Sequence, residues 1–146
     1  MTDIAEDTDF VLLVEDDPRQ AELFGMAWGE ASVADRLVVA SDACETFAVL
    51  RTSPETRQRP RLVLLDLNLP GKPGHEILAE IRLDASLAHL RVVILSTSSS
   101  PSDVDVARRL GADGYITKPL RYSDLVLAIN RLAGRWLDDA DSGDRR

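Results

Sequence analysis

The chain has 146 residues, 45% of them hydrophobic, with one cysteine and a formal net charge of -8. That is the size of a single domain able to bury a full core, and no apolar run nears the roughly 20 residues needed to span a bilayer. Most of the acidity sits at the two ends, leaving about -2 over residues 10–137, so the basic footprint of a nucleic-acid binder is missing.

Residues 1–9 form an acidic tail carrying Asp3, Glu6, Asp7 and Asp9, unlike a signal or transit peptide. Phe10–Val14 is a short apolar run that reads as a buried parallel strand, and it ends on Glu15–Asp16. A helix follows over residues 18–31, with Pro18 near its start and Phe24 and Trp28 stacked at i, i+4. Asp17 before Pro18 reads as a helix cap. Residues 37–40 form a second strand. In the helix after it, Asp42 and Glu45 resemble a capping box and Phe47 and Leu50 face inward. Cys44, near that helix start, is expected as a small packing residue; being alone, it allows no internal disulfide and makes a reducing cytoplasm the default.

Residues 52–60, with two prolines, are a surface connection, and residues 62–65 are a third strand ending on Asp66. A loop over 68–74, rich in glycine and proline, leads to a helix reaching about Leu83. Residues 92–95 form the fourth strand, ending on Ser96. The next helix starts with Ser100 as N-cap and Pro101 at its first position, and stops before Gly111. The fifth strand is Gly114–Thr117, followed by Lys118. The last helix runs from about Tyr122, with Leu125, Ile129, Leu132 and Trp136 on one stripe. Trp136–Leu137 either extends this core stripe or protrudes as an interface anchor. Residues 138–146 form a flexible tail. Strands alternating with helices imply crossover connections and a parallel sheet covered on both faces, within one domain over residues 10–137.

Four polar endings on apolar strands therefore share one edge of the sheet, where such sheets bind ligands. Glu15, Asp16 and Asp66 supply oxygen donors whose mutual repulsion calls for a divalent ion. Mg²⁺ suits them, because it takes oxygen ligands and bridges carboxylate to phosphate. A carboxylate is also a nucleophile able to form an aspartyl phosphate, with the metal and Lys118 neutralising phosphoryl oxygens and Ser96 donating to a third. The chain has only two lysines, Lys72 and Lys118, against 15 arginines. An exposed ion pair would accept either, so a lysine at 118 points to a need for a compact ammonium. His75 and His89 lack metal-ligand spacing and read as surface or helix-end residues.

These residues resemble a response-regulator receiver domain, the phosphoacceptor module of two-component signalling. The likeness covers about residues 10–135. It rests on LLVEDDP from Leu12, LLDLNLP from Leu64 with Gly74, ILST from Ile94, and GADGYITKPL from Gly111. It implies a doubly wound, flavodoxin-like α/β fold with five parallel strands in the order 2-1-3-4-5 and helices on both faces. It also implies Asp66 as phosphoacceptor, with Asp16 as a direct Mg²⁺ ligand, Glu15 acting through water and the Asn68 backbone carbonyl as a further ligand. The family spacing to Lys118 selects Ser96 as the switch hydroxyl and leaves Thr97 where a small residue is more usual. Tyr115 takes the switch-aromatic position, and Lys118–Pro119 resembles a pair often joined by a cis bond. The family links phosphoryl lifetime to Asn68 and Ser98.

A narrower likeness, to single-domain regulators paired with bacterial phytochromes, rests on DLNLPGKPGHEILAEIR and Trp136. The resulting expectation is a cytoplasmic stand-alone regulator without an output domain. It would take a phosphoryl group from a sensor histidine kinase, which in the narrower case is a bacteriophytochrome. Its signal would pass through the surface of the fourth helix, fifth strand and fifth helix. Partners expected are the kinase and a second copy in a homodimer, with no nucleic acid and no membrane. Arg108, Arg109, Arg121 and Arg131 could pair across such a dimer, although a solvated face is the simpler account. An aspartyl phosphatase is the competing reading. It needs a second acid two residues after the nucleophile, where this chain has Asn68, so a switch is expected and not a turnover enzyme. A vestigial adaptor is disfavoured by the complete residue set.

Overall fold

The computed structural model describes residues 9–51, 60–69 and 71–137. The two tails, Pro70 and most of the connection expected over 52–60 lie outside the described residues. The strands are β1 (Phe10–Val14), β2 (Arg36–Ala40), β3 (Leu62–Asp66), β4 (Val92–Ser96) and β5 (Gly114–Thr117). The helices between and after them are α1 (Pro18–Glu30), α2 (Ala43–Leu50), α3 (Gly74–Leu83), α4 (Pro101–Arg109) and α5 (Tyr122–Trp136). All pairings are parallel and the sheet order is β2-β1-β3-β4-β5.

Strand periodicity explains the two cores. Leu12, Val14, Val63, Leu65 and Ile94 point to one face and pack against Phe47, Leu50, Ile77, Leu78, Ile81 and Ala107 of α2, α3 and α4. Their alternates Val11, Leu13, Leu62, Leu64, Val93 and Leu95 point to the other and meet Phe24, Trp28, Ile129 and Leu132 of α1 and α5. Because both faces are covered, the three central strands are buried along their whole length, whereas edge strands β2 and β5 are only partly so. This is why the central runs read so clearly as unbroken apolar sequence.

Helix starts follow local chemistry. Asp17 caps α1 by accepting from the Arg19 N–H at 2.9 Å, as expected. Ser100 caps α4 and Pro101 opens it. Asp42 caps α2 by accepting from the Glu45 N–H at 2.8 Å, but the return bond differs from a capping box. The Glu45 carboxylate accepts from the Ser41 N–H at 2.7 Å, one residue before the cap.

Three further expectations need correction or resolution. Cys44 is exposed, because the buried stripe of α2 is Thr46, Phe47 and Leu50 and Cys44 lies off it. No cis peptide bond occurs among the described residues, so Lys118–Pro119 is trans, the form X–Pro bonds favour by about 0.5–1 kcal/mol. Trp136 packs against the α1/α5 core with Leu137 buried beside it, so this pair extends the core stripe. The Trp136 ring lies 3.1 Å from where a Gly114 Cβ would stand. His75 is half-buried at the start of α3 and His89 is exposed. Among the described residues no helix is long and apolar enough to cross a membrane.

Candidate functional site

Backbone pairing carries five side chains to one edge of the sheet. The Glu15 N–H donates to the Ala40 carbonyl at 3.0 Å, extending the strand pairing one residue beyond β1 and burying Glu15. Asp16 follows, half-buried, before Asp17 turns the chain into α1. Asp66 is the last residue of β3 and stands opposite Leu95 of β4. Ser96 is the last residue of β4, and the Lys118 N–H donates to its carbonyl at 2.7 Å just after β5 ends. Parallel strands align their carboxyl ends, so residues 15, 16, 66, 96 and 118 converge although up to 103 positions separate them.

The carboxylates are close enough to share an ion. One oxygen each from Glu15, Asp16 and Asp66 lies within 4.8 Å of the others. The Lys118 ammonium binds two of these groups, donating to Glu15 Oε1 at 2.8 Å and Asp66 Oδ2 at 2.9 Å. Glu15 and Asp66 are 5% and 3% exposed, so both charges stand largely out of water. Burial pushes the Glu15 carboxyl above its usual range; the Lys118 bond pulls it down and the charge of Asp66 pushes it up. Burial works against the Lys118 charge, yet its bonds to Glu15 and Asp66 outweigh burial and hold the ammonium above the usual lysine range.

With the three carboxylates ionised, one ammonium leaves a double negative charge. A hard divalent cation with oxygen ligands fits that donor set in both charge and chemistry. Around Asp66 the loop is tight. Its Oδ1 accepts from the Asn68 N–H at 2.9 Å, and the Asn68 side chain is exposed. The first residue of α3 approaches so closely that a Cβ on Gly74 would lie 2.4 Å from the Asp66 carbonyl oxygen.

The hydroxyl side is equally defined. Ser96 is 1% exposed, whereas Thr97, just beyond the end of β4, is exposed. Ser96 Oγ accepts from the Ser98 N–H at 3.0 Å. Ser98 Oγ donates to Asp103 of α4 at 2.6 Å, and the Tyr115 hydroxyl donates to the Ser98 carbonyl at 2.8 Å. One loop thus ties the buried hydroxyl to both α4 and Tyr115. Tyr115 also lines a groove of about 610 Å³ between β5 and α5, with Ile116, Pro119, Leu127, Arg131 and Trp136.

Two participants escape a reading by strand endings. Gln20 Oε1 accepts a third bond from Lys118 at 2.9 Å. Its signal in sequence is only that it stands one helical turn beyond Asp16. Asp103 is the partner of Ser98, and nothing in its local sequence separates it from an ordinary acidic residue in a first helical turn.

Residues 11–130 match the response regulator receiver domain family. The chain is 33% identical over 140 residues to the response regulator Rcp1 of Synechocystis sp., spanning 94% of this chain and 95% of that protein. The Mn²⁺-bound form of Rcp1 superposes with a TM-score of 0.76 over 90% of this chain and 96% of that one. The phosphorylated cyanobacterial phytochrome response regulator RcpA, 37% identical, gives a TM-score of 0.78 over 90% and 95% of the two chains. A response regulator in red light signaling of R. palustris, 30% identical, gives 0.81 over 89% and 94%. Strand order, acidic edge and sequence agree over nearly the whole length: the chain belongs to the response regulator receiver domain family.

Proposed function

We propose that this chain is a phosphoacceptor switch that takes a phosphoryl group from a sensor histidine kinase onto Asp66. The observation that carries the reading is the Lys118 ammonium bridging buried Glu15 and Asp66 beside Asp16. An Asp66 carboxylate oxygen would attack phosphorus and form the P–O bond. The P–N bond to the kinase histidine breaks, and its electron pair returns to the imidazole. Glu15, Asp16, Asp66 and the Asn68 backbone carbonyl would hold Mg²⁺, which when bound neutralises phosphoryl oxygens. Lys118 would pair with one phosphoryl oxygen and the Ser96 hydroxyl would donate to another.

Ser96 moving toward the phosphoryl group would carry Ser98 with it, since Ser96 accepts from the Ser98 N–H. Tyr115, bonded to the Ser98 carbonyl, would follow and reshape the α4-β5-α5 surface. Thr97, exposed next to Ser96, would border the phosphoryl group. Asn68, lacking an acid's proton, supports a switch that assists its own phosphorylation and dephosphorylation over a turnover enzyme. Similarity to phytochrome and bacteriophytochrome response regulators supports a bacteriophytochrome as the kinase, and the expected output is homodimer formation. Acetyl phosphate with Mg²⁺ should add one phosphoryl mass to wild type and none to Asp66→Ala. Equal labelling of both would overturn the assignment. Solution mass with and without beryllofluoride and Mg²⁺ tests the dimer.

A further inference from the structure

An ammonium has three N–H donors, and in Lys118 all three are engaged. Two donate to the buried carboxylates of Glu15 and Asp66, at 2.8 and 2.9 Å. The third donates to the side-chain carbonyl of Gln20, at 2.9 Å. These acceptors are not equivalent. Glu15 and Asp66 are anionic and buried, whereas Gln20 is neutral and exposed in the first turn of α1. Bonds to ionised acceptors are roughly twice as strong as neutral ones. The bond to Gln20 is therefore the weakest of the three, and the only one directed to the exposed rim, where an incoming group must arrive.

A contact between Lys118 and a phosphoryl oxygen requires one of these donors to be released. We propose that Gln20 is a competing acceptor that restrains Lys118. It holds the third N–H in line toward the rim and yields it to an oxygen of the tetrahedral anion at Asp66. This inference rests on Asp66 being the phosphoacceptor. Gln20 then competes with the phosphoryl group for a single proton donor, setting how readily Lys118 engages it. The metal is untouched by the exchange, because Gln20 bonds the ammonium and is not one of the clustered carboxylates.

The sign is opposite for two substitutions. Gln20→Ala removes the competitor and should bind beryllofluoride, in saturating Mg²⁺, about two- to fivefold more tightly than wild type. Gln20→Glu replaces a neutral acceptor by an anionic one and should bind it about tenfold more weakly. Mg²⁺ titrated alone should bind wild type and Gln20→Ala within about twofold, a split that a merely structural role would not produce. At an exposed helix position alanine is a strong helix former, so the fold tolerates the change. Beryllofluoride binding by Gln20→Ala equal to or weaker than wild type would remove this role for Gln20 while leaving Asp66 in place. Failure of wild type itself to bind beryllofluoride with Mg²⁺ would remove the phosphoacceptor reading, and the role of Gln20 with it.

Discussion

Replacing Gly74 by alanine would put a methyl carbon 2.4 Å from the Asp66 carbonyl oxygen, 2.7 Å from the Leu67 Cα and 3.1 Å from the Asp66 carbonyl carbon. Ordinary contacts of this kind lie 3.4–4 Å apart, so about 1 Å of overlap must be relieved. All three neighbours are backbone atoms, and no rotamer change can help. The β3 side cannot easily yield, because β3 pairs with both β1 and β4. The start of α3 would have to move instead, against Ile77, Leu78 and Ile81, each fully buried. It would also strain the bond from the Gly74 N–H to the Leu67 carbonyl, 3.2 Å long. Overpacking of this kind costs about 1–3 kcal/mol, and the atoms pressed on include the main-chain carbonyl of Asp66, so the carboxylate's setting is disturbed as well. Urea unfolding should show the midpoint falling by that energy divided by an unchanged m-value, with weakened Mg²⁺ binding by calorimetry. Gly25→Ala is the control: nothing lies within 4 Å of its would-be Cβ in the middle of α1, so it should gain about 0.5–1 kcal/mol. If Gly74→Ala unfolded at the wild-type midpoint and bound Mg²⁺ equally well, the close approach would not constrain the site.

Three more outcomes follow from the charges at the same edge. Lys118→Ala leaves Glu15 and Asp66 without their cation, so in EDTA it should lose about 3–5 kcal/mol. Mg²⁺ should restore much of this, and equal losses with and without Mg²⁺ would contradict the charge argument. Burial raises the Glu15 carboxyl above 4.5, so its ionised form opposes folding at neutral pH, and that penalty lifts as pH falls through the folded value. Only the ionised form ligates, so Mg²⁺ affinity should fall on acidification at a higher pH than an ordinary glutamate would give; Glu15→Gln should abolish that component. Lys118 has the opposite sense: its stabilisation is complete below 10.5 and is lost as pH rises through its raised folded value. Chemical denaturation of Lys118→Met at high pH should show a flatter alkaline limb than wild type.

The helices and strands were legible because each central strand is buried on both faces and each helix start carries a local cap. Phe10–Val14, for example, is wholly apolar since β1 lies between β2 and β3 with helices above and below. Edge strand β2 was harder to bound: Arg36 belongs to it, pairing with Phe10, but its polar side chain hides this in sequence. The choice of Ser96 over Thr97 came from spacing, and burial separates the two plainly. Cys44 misled because a small apolar residue near a helix start can lie on either side of the buried stripe.

The elements, the family and the residues ending each strand are readable from the chain's local pattern and motif spacing. How those endings interact is a property of the folded sheet. Lys118 lies 103 residues from Glu15 and 98 from Gln20, yet its ammonium meets both, together with Asp66. Parallel pairing sets these distances to within hydrogen-bond range, and no local property of residues 15, 20, 66 or 118 encodes which of Lys118's three bonds is neutral and exposed. Likewise, sequence marks Gly74 only as one of two glycines of its loop and as part of a family motif, and its approach to the Asp66 backbone shows why a side chain there is excluded.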